Sequence, residues 1–243
     1  MYNPNVRVNL SFAAAPVFCY SSDMDQEMIL LQQNAQHLGI ELNDQQLAQF
    51  DAYQRELLKW NTSANLISEN SSHEIITRHF LDSLTALKFI AQHDARIMDL
   101  GCGAGLPGIP LKIASPELRL YLLETNRKKV SFLKNILRLL TLPDTFVLHE
   151  RAEDLQKNSH WKNFFDIVIT RAAFKLPAIL PFGAYFLAPG GKLIALKSSD
   201  VAAEFSQAAA VTARYGFNQL FQYDINEDFL GIPRKIIVGE KTK

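Results

Sequence analysis

Along the first third of the chain, apolar residues recur at steps of three and four, the period of a helix that buries one side. Met28–Leu38 reads as one such helix, with Gly39 at the position where a left-handed residue ends it. Asn43 or Asp44 then caps a second helix whose inward side is Leu47, Phe50, Leu57 and Leu58. Trp60 and Asn61 read as a structural turn. Beyond Ser72 a third helix is expected, with Ile76, Phe80, Leu84 or Leu87, and Ile90 or Ala91 on its buried side.

The pattern changes at Ala95. Arg96-Ile97-Met98-Asp99-Leu100 is a short buried strand that runs into a glycine-rich turn, and Pro107–Ala114 is a crossover helix with Pro107 near its first position. Further strands are expected at Leu118–Glu124, Phe146–His149, Phe165–Thr170 and Gly191–Lys197. Helices are expected at Lys128–Leu140, Leu176–Leu187 and Val201–Tyr215. Phe217–Tyr223 and Lys235–Gly239 would complete the sheet. Strands alternating with helices at short spacing mean an α/β fold with a mostly parallel sheet. The expected organisation is an extension over 1–23, a helical region over 24–92 and a sheet domain over 93–243. Arg7 followed by Leu10–Cys19 has the outline of a short signal peptide, but Ser11 and Pro16 interrupt its apolar run, and an unstructured extension is the reading preferred here.

Composition narrows the choices. The 243 residues are 48% hydrophobic and 21% charged, an ordinary globular balance that can build a core without disulfides or metals. The two cysteines, Cys19 and Cys102, lack paired spacing, which excludes a zinc ribbon and fits a reducing, cytoplasmic setting. No apolar run is long enough to span a membrane. His73, His79 and His93 are too loosely arranged for a metal site. Lys plus Arg equals Asp plus Glu, 25 each, so the basic total of many nucleic-acid binders is absent. The charge is nonetheless segregated. Asp23–Glu74 holds nine acids against two bases, whereas Lys112–Arg151 holds eight bases against four acids. That asymmetry allows a local basic face for a polyanion, although from charge alone a solvated helix face is the better reading.

The chemistry concentrates in Asp99-Leu100-Gly101-Cys102-Gly103-Ala104-Gly105-Leu106-Pro107-Gly108. Glycines after a first strand let the backbone turn tightly and let a ligand approach the main chain. Two ligands compete for such a loop. Gly103 to Gly108 matches the dinucleotide pattern, with Glu124 about twenty residues on, so an NAD(P)-dependent oxidoreductase is one reading. Asp99 opposes it, because an acid at the mouth of the loop would repel a pyrophosphate. S-adenosylmethionine carries a sulfonium and an ammonium and no phosphate, and suits that acid better. Glu124 could accept hydrogen bonds from ribose hydroxyls of either ligand. Cys102, with no histidine near it in sequence, reads as a packed thiol.

The run Gly101–Pro110 resembles the cofactor loop of the bacterial glucose-inhibited division protein B family, the small-subunit ribosomal RNA guanine-N7 methyltransferases. Lys59-Trp60-Asn61, Asn65-Leu66 and Arg78-His79-Phe80-Leu81-Asp82-Ser83-Leu84 resemble its N-terminal signature. Thr170-Arg171-Ala172, Ala195-Leu196-Lys197 and Arg234 extend the likeness, which runs from about Asp44 to Lys241. It implies a Rossmann-like class I methyltransferase sheet with an antiparallel last strand, behind a helical N-terminal region. It also implies an enzyme that moves a methyl group from S-adenosylmethionine to N7 of guanine-527, in the 530 loop of 16S ribosomal RNA, and nothing in the sequence demands more than a monomer. The implied cofactor contacts are Gly101, Leu106, Ala152, Glu153 and Arg171, beside Asp99, Gly103, Gly105 and Glu124 from the loop argument. Arg151, Arg171, Lys197 and Arg234 are the basic positions expected around the substrate cleft. A non-catalytic RNA-binding assembly factor on the same fold is a further alternative.

Guanine N7 has an exposed lone pair and no proton, so its methylation calls for positioning rather than a general base. The fourth strand ends in Thr170-Arg171-Ala172-Ala173, without the Asn-Pro-Pro-Tyr type clamp used on exocyclic amines. Arg171 and Lys197 follow the ends of expected parallel strands, the edge at which open α/β sheets bind ligands, and are assigned positioning roles. Arg127, Lys128 and Lys129 are expected to hold RNA backbone. Arg78, His79 and Asp82 are expected to join the helical region to the sheet beside the cleft.

Overall fold

The computed structural model describes residues 26–68 and 71–242. The expected extension over 1–23, with Cys19, lies outside the described residues. Two helices open the described chain, α1 (Gln26–His37) and α2 (Asp44–Ala64). Gly39 takes φ +76° after α1. Its N–H donates to the Gln36 carbonyl and that of Ile40 donates to Ala35 O, both at 2.9 Å, the paired bonds that close a helix C-terminus. Asn43 caps α2 in a reciprocal box with Gln46. Trp60 and Asn61 do not form a turn: α2 runs through them to Ala64 and stops where Asn65 turns left-handed at φ 46°. The third helix is shorter and less regular than the periodicity predicts. It comprises α3 (Ser72–Ile75), a π-helical segment Ile76–Leu81, and α4 (Asp82–Leu84), and only a 3₁₀ turn at Leu87–Phe89 follows.

The sheet comprises β1 (Arg96–Leu100), β2 (Arg119–Leu123), β3 (Thr145–Leu148), β4 (Phe165–Arg171), β5 (Leu187–Ser198), β6 (Phe217–Ile225) and β7 (Arg234–Lys241). Their spatial order is β3-β2-β1-β4-β5-β7-β6, with β7 antiparallel to both β5 and β6. Between the strands lie α5 (Gly108–Ala114), α6 (Arg127–Leu140), α7 (Ala152–Leu155), α8 (Leu176–Phe186) and α9 (Ala202–Ala209). Pro107 sits at the cap of α5, one place earlier than expected. The helix expected over Val201–Tyr215 breaks after Ala209 and resumes only as a 3₁₀ turn at Ala213–Tyr215.

Side chains alternate across a strand, and the two faces of β1 feed two cores. Ile97 packs with Leu47, Phe50, Ile109 and Phe132 from α2, α5 and α6, in a cluster that also takes in Met28 and Leu31 of α1. Met98 and Leu100 pack on the other face with Leu176, Ile179 and Phe186 of α8. The helical region thus shares a core with the sheet. Polar contacts reinforce the junction. Gln46 Nε2 donates to the carbonyls of Ile113 (2.8 Å) and Ala114 (3.2 Å), and Gln49 Nε2 to that of Leu140 (2.8 Å). α2 thereby satisfies carbonyls at the C-terminal ends of both α5 and α6, groups their own helices leave open.

Gln46 is buried and serves two helices, so its loss should exceed that of an ordinary cap. Gln46→Leu strands the Ile113 and Ala114 carbonyls, and urea unfolding should show a loss of about 1–3 kcal/mol, the cost of an unsatisfied buried polar group.

Candidate active site

A cavity of about 750 Å³ opens where the chain leaves β1, β4 and β5 and enters β7. This is the carboxyl edge of the parallel strands, where the crevice of an open α/β sheet lies. Its floor is the glycine loop, with Gly101, Gly103 and Leu106. Arg171, Lys197 and Arg234 form the opposite wall, and His79 and Asp82 reach in from the helical segment.

The glycine loop is held by backbone turns and two carboxylates. Gly101, Gly103 and Gly105 all have positive φ, at 70°, 59° and 92°. At Gly101 a Cβ would lie 2.8 Å from Ala173 Cβ and 3.1 Å from the Phe174 ring, so the β4–α8 loop rests directly on this glycine. Glu124 accepts from Gly103 N–H through Oε2 (2.9 Å), and from the amides of Thr125 and Asn126 through Oε1 (2.8 and 2.7 Å). Asp99 lies deeper than the sequence suggests. It is fully buried, and its Oδ2 accepts from Gly108 N–H at 2.7 Å, at the start of α5. Gly108 has to be glycine for that approach, since a Cβ there would come within 2.8 Å of the same oxygen. Asp99 Oδ1 has no hydrogen-bond partner. Burial raises the Asp99 carboxyl to about 7, opposed by the Gly108 amide and the Arg171 charge, while the Glu124 charge adds to the rise. Burial likewise pushes the Cys102 thiol well above its usual range, so Cys102 is a packed thiol rather than a nucleophile. Tyr53 of α2 supports the loop from below, donating its hydroxyl to the Ala104 carbonyl at 2.7 Å.

The cationic wall is built around Asp82, which joins the helical region to the sheet beside the cleft and, beyond that expectation, serves two arginines as a hub. Arg171 NH1 donates to Arg78 O (2.9 Å) and lies 3.2 Å from Asp82 Oδ2, and NH2 donates to His79 Nδ1 at 2.7 Å. His79 therefore presents an unprotonated Nδ1 to the guanidinium. Arg234 Nε approaches the other Asp82 oxygen to 3.2 Å, although the buried Nε completes no hydrogen bond. Burial raises the Asp82 carboxyl, and Arg171 followed by Arg234 pulls it down. Breaking such a buried group's pairing is costly, because an uncompensated charge stays behind. Lys197 Nζ donates to Phe174 O and, at 2.7 Å, to Glu204 Oε1, and Glu204 Oε1 also accepts the Leu176 amide at the start of α8. Ala172, between these partners, takes the left-handed region at φ 56°. Nothing in the sequence marks Glu204, Phe174 or Ala172 for this place. The partners Arg171 and Arg234 are far from Asp82 in sequence, so no local signal pointed to the hub either.

The structure thus brings Gly101, Gly103, Leu106, Arg171, Lys197 and Arg234 to one cavity. Asp99, Gly105 and Glu124 lie behind the loop. Gly105 faces the core, where a Cβ would strike Ile109. Ala152 is buried at the start of α7, whereas Glu153, Arg151, Arg127 and Lys128 are exposed and do not line the cavity. Among the described residues no group of three or more His, Cys, Asp and Glu could hold a metal ion, and no helix is long and apolar enough to cross a membrane.

Known proteins share this fold. A solved structure of the TYW2 protein of M. jannaschii in complex with AdoMet superposes with a TM-score of 0.54 at 18% identity, covering 73% of this chain and 78% of that one. A precorrin-6y C5,15-methyltransferase from Geobacter metallireducens gives 0.51 at 17% identity, over 74% and 92%. These place the fold among the Rossmann-like class I methyltransferases. At the sequence level, a ribosomal RNA small subunit methyltransferase G from Syntrophus aciditrophicus is 44% identical over 197 residues, 81% of this chain and 82% of that protein. Its counterpart from Desulfitobacterium hafniense is 36% identical over 211 residues, 85% and 86% of the two chains. The model of the family described as rRNA small subunit methyltransferase G matches residues 46–228, three quarters of the sequence, and the chain belongs to that family.

Proposed function

We propose that this protein methylates N7 of guanine-527, in the 530 loop of 16S ribosomal RNA, with S-adenosylmethionine as donor. The observation that carries the reading is one cavity that joins a glycine loop to a wall of arginines and offers no available base. Both carboxylates that line it, Asp82 and Glu204, are engaged by cations, and His79 turns its Nδ1 to Arg171. A site without a free base suits an acceptor that has no proton to lose.

The residues fit the cofactor. A cavity of about 750 Å³ is within the range of small-molecule sites. Around Gly103 a Cβ would meet only Lys129 Nζ, at 3.8 Å, so the backbone there is open to a ligand. The unpartnered oxygen of Asp99 and the carboxylate of Glu124 make the loop's underside negative, which favours a cation and disfavours a diphosphate. When bound, S-adenosylmethionine supplies a methyl carbon activated by its sulfonium. Gly101, Gly103 and Leu106 would hold it against the loop. Glu124, now occupied by the Gly103 amide, is the acid nearest to a ribose role, and Ala152 and Glu153 after β3 are assigned to the adenine end. Arg171 and Arg234 orient the RNA, stacking on the base or gripping a phosphate. Exposed Arg127, Lys128 and Arg151 extend the basic track along the RNA backbone. The chain's contribution is orientation and exclusion of water, which can lower a barrier by several kcal/mol.

In a strain lacking the gene, mass spectrometry of 16S ribosomal RNA should find no 7-methylguanosine at position 527, and the wild-type gene should restore it. An unchanged content would leave a binding role only. Gly103→Asp places a branched, negative side chain at a left-handed position on the ligand's face of the loop. Titration calorimetry should show S-adenosylmethionine affinity falling at least about a hundredfold while the protein stays folded. The Asp99 carboxyl, raised to about 7, adds a negative charge as pH rises through neutrality. By reciprocity, a bound cation and that ionisation strengthen each other. Affinity for S-adenosylmethionine should therefore rise severalfold from pH 6 to pH 8, with proton release on binding, and Asp99→Asn should abolish both effects.

A further inference from the structure

We infer that Lys197 and Glu204 form a clamp that positions the β4–α8 loop over the glycine loop, and that Lys197 serves the reaction through this loop rather than by touching RNA. The inference rests on the methyl-transfer reading of the cavity, and concerns how one wall of that cavity is kept in place. Three connections carry it. Lys197 leaves the end of β5 and donates to the Phe174 carbonyl. Its ammonium also meets Glu204 Oε1 at 2.7 Å, and only 9% of its side chain is exposed. Glu204, from α9, accepts the Leu176 amide as well, so one carboxylate oxygen joins the loop's far end to the lysine that holds its middle.

The loop so held has every reason to move without a clamp. Ala172 sits in the left-handed region without being glycine, a conformation that persists only where its surroundings impose it. Ala172 and Ala173 are exposed. The loop still has to meet Gly101 at a separation too small for a Cβ, with Ala173 and the Phe174 ring against it. It follows directly on Arg171, whose guanidinium faces the same cavity. A shift of the loop thus disturbs the cofactor side and the arginine side together. Lys197, meanwhile, has two of its three N–H donors committed inside the protein, on a side chain mostly withdrawn from solvent. A phosphate contact from it would have to compete with a carboxylate already in place.

The clamp and the RNA-contact roles make opposite demands on Glu204. If Lys197 gripped phosphate, Glu204 would be a competitor, and its neutralisation would leave turnover intact or improve RNA binding. If Lys197 is a clamp, Glu204 matters as much as the lysine. The test uses the full chain with Lys197→Met, Glu204→Gln and the double variant, and two independent readouts. Trypsin cleavage after Lys175, at the loop's end, needs no activity and reports loop order. It should accelerate at least about fivefold in each variant, by release of a held segment. Methyl transfer to 16S ribosomal RNA should show kcat lowered ten- to a hundredfold in each, with the double variant no worse than the weaker single, as expected of residues acting as a unit. The slope of log affinity for RNA against log salt should stay that of the wild type in all three.

A salt slope reduced by about one in Lys197→Met, with Glu204→Gln retaining wild-type kcat and cleavage, would overturn the clamp and make Lys197 a phosphate ligand. Unchanged cleavage in both single variants would overturn it as well. If Lys197→Met does not fold, Lys197→Gln with an unaltered melting temperature replaces it, because a shorter, uncharged amide cannot reproduce the ammonium's ion pair with Glu204. A wild-type chain that fails to methylate the RNA defeats the functional reading instead, and the cleavage result still decides the clamp.

Discussion

Backbone amides tethered to buried carboxylates are the constraint on which this site depends. Where β1 ends, the chain reverses through three left-handed glycines, and the turn bonds from the Gly105 and Leu106 amides to the Cys102 carbonyl leave the Gly103 and Gly108 amides to be held from outside. Glu124 fixes Gly103 from the end of β2, and Asp99 fixes Gly108 from the end of β1. Each carboxylate adds a tie that the turn bonds do not supply, and leaves negative potential under the loop as it does so. The incomplete satisfaction of Asp99 then has a physical meaning. A buried oxygen without a donor is unfavourable in isolation, and the raised carboxyl pKa records that cost. A positive charge nearby relieves it, so structure and electrostatics favour the same kind of ligand.

The helical region is a working part of the site. Its π-helical segment and the turn after it deliver Arg78 O, His79 and Asp82 to Arg171, and Asp82 to Arg234. Two guanidiniums from different strands would separate if left alone. One buried carboxylate between them holds the pair together and leaves a net positive charge for the cavity. Gln46, Gln49 and Tyr53 of α2 anchor the same region to α5, to α6 and to the glycine loop, so the helices cannot shift without disturbing the sheet's crevice.

Much of this was legible in the residues, and what was not has identifiable causes. A short buried run with a glycine turn after it located β1 at Arg96–Leu100, and the strong amphipathicity of α6 located that helix to within one residue. Trp60 and Asn61 misled because aromatic and amide residues have modest helix propensity, whereas in the fold Trp60 packs on Phe132 and donates to Glu56, which carries α2 onward. The π segment left no trace in the pattern, since one extra residue per turn only blurs a three-and-four repeat. The pairing of Asp82 with two arginines and the place of Glu204 were hidden for another reason. Asp82 is an ordinary surface-type acid until tertiary structure buries it against cations from remote strands, and Glu204 is one until α9 folds back to half-bury it on Lys197, seven residues earlier. Asp99 was recognised as important but placed too far outward, because sequence shows a residue at a strand's end and not the depth at which its carboxyl comes to rest.

The strand order has a consequence for biosynthesis. β7 lies between β5 and β6 although it leaves the ribosome after both, so a growing chain that has already made β6 still faces a gap in its sheet. Arg234, the first residue of that inserted strand, is also the second guanidinium on Asp82. Closure of the sheet and assembly of the crevice are therefore a single late event in synthesis. A nascent or prematurely terminated product can carry the whole glycine loop and still lack the wall of the cavity that Arg234 completes.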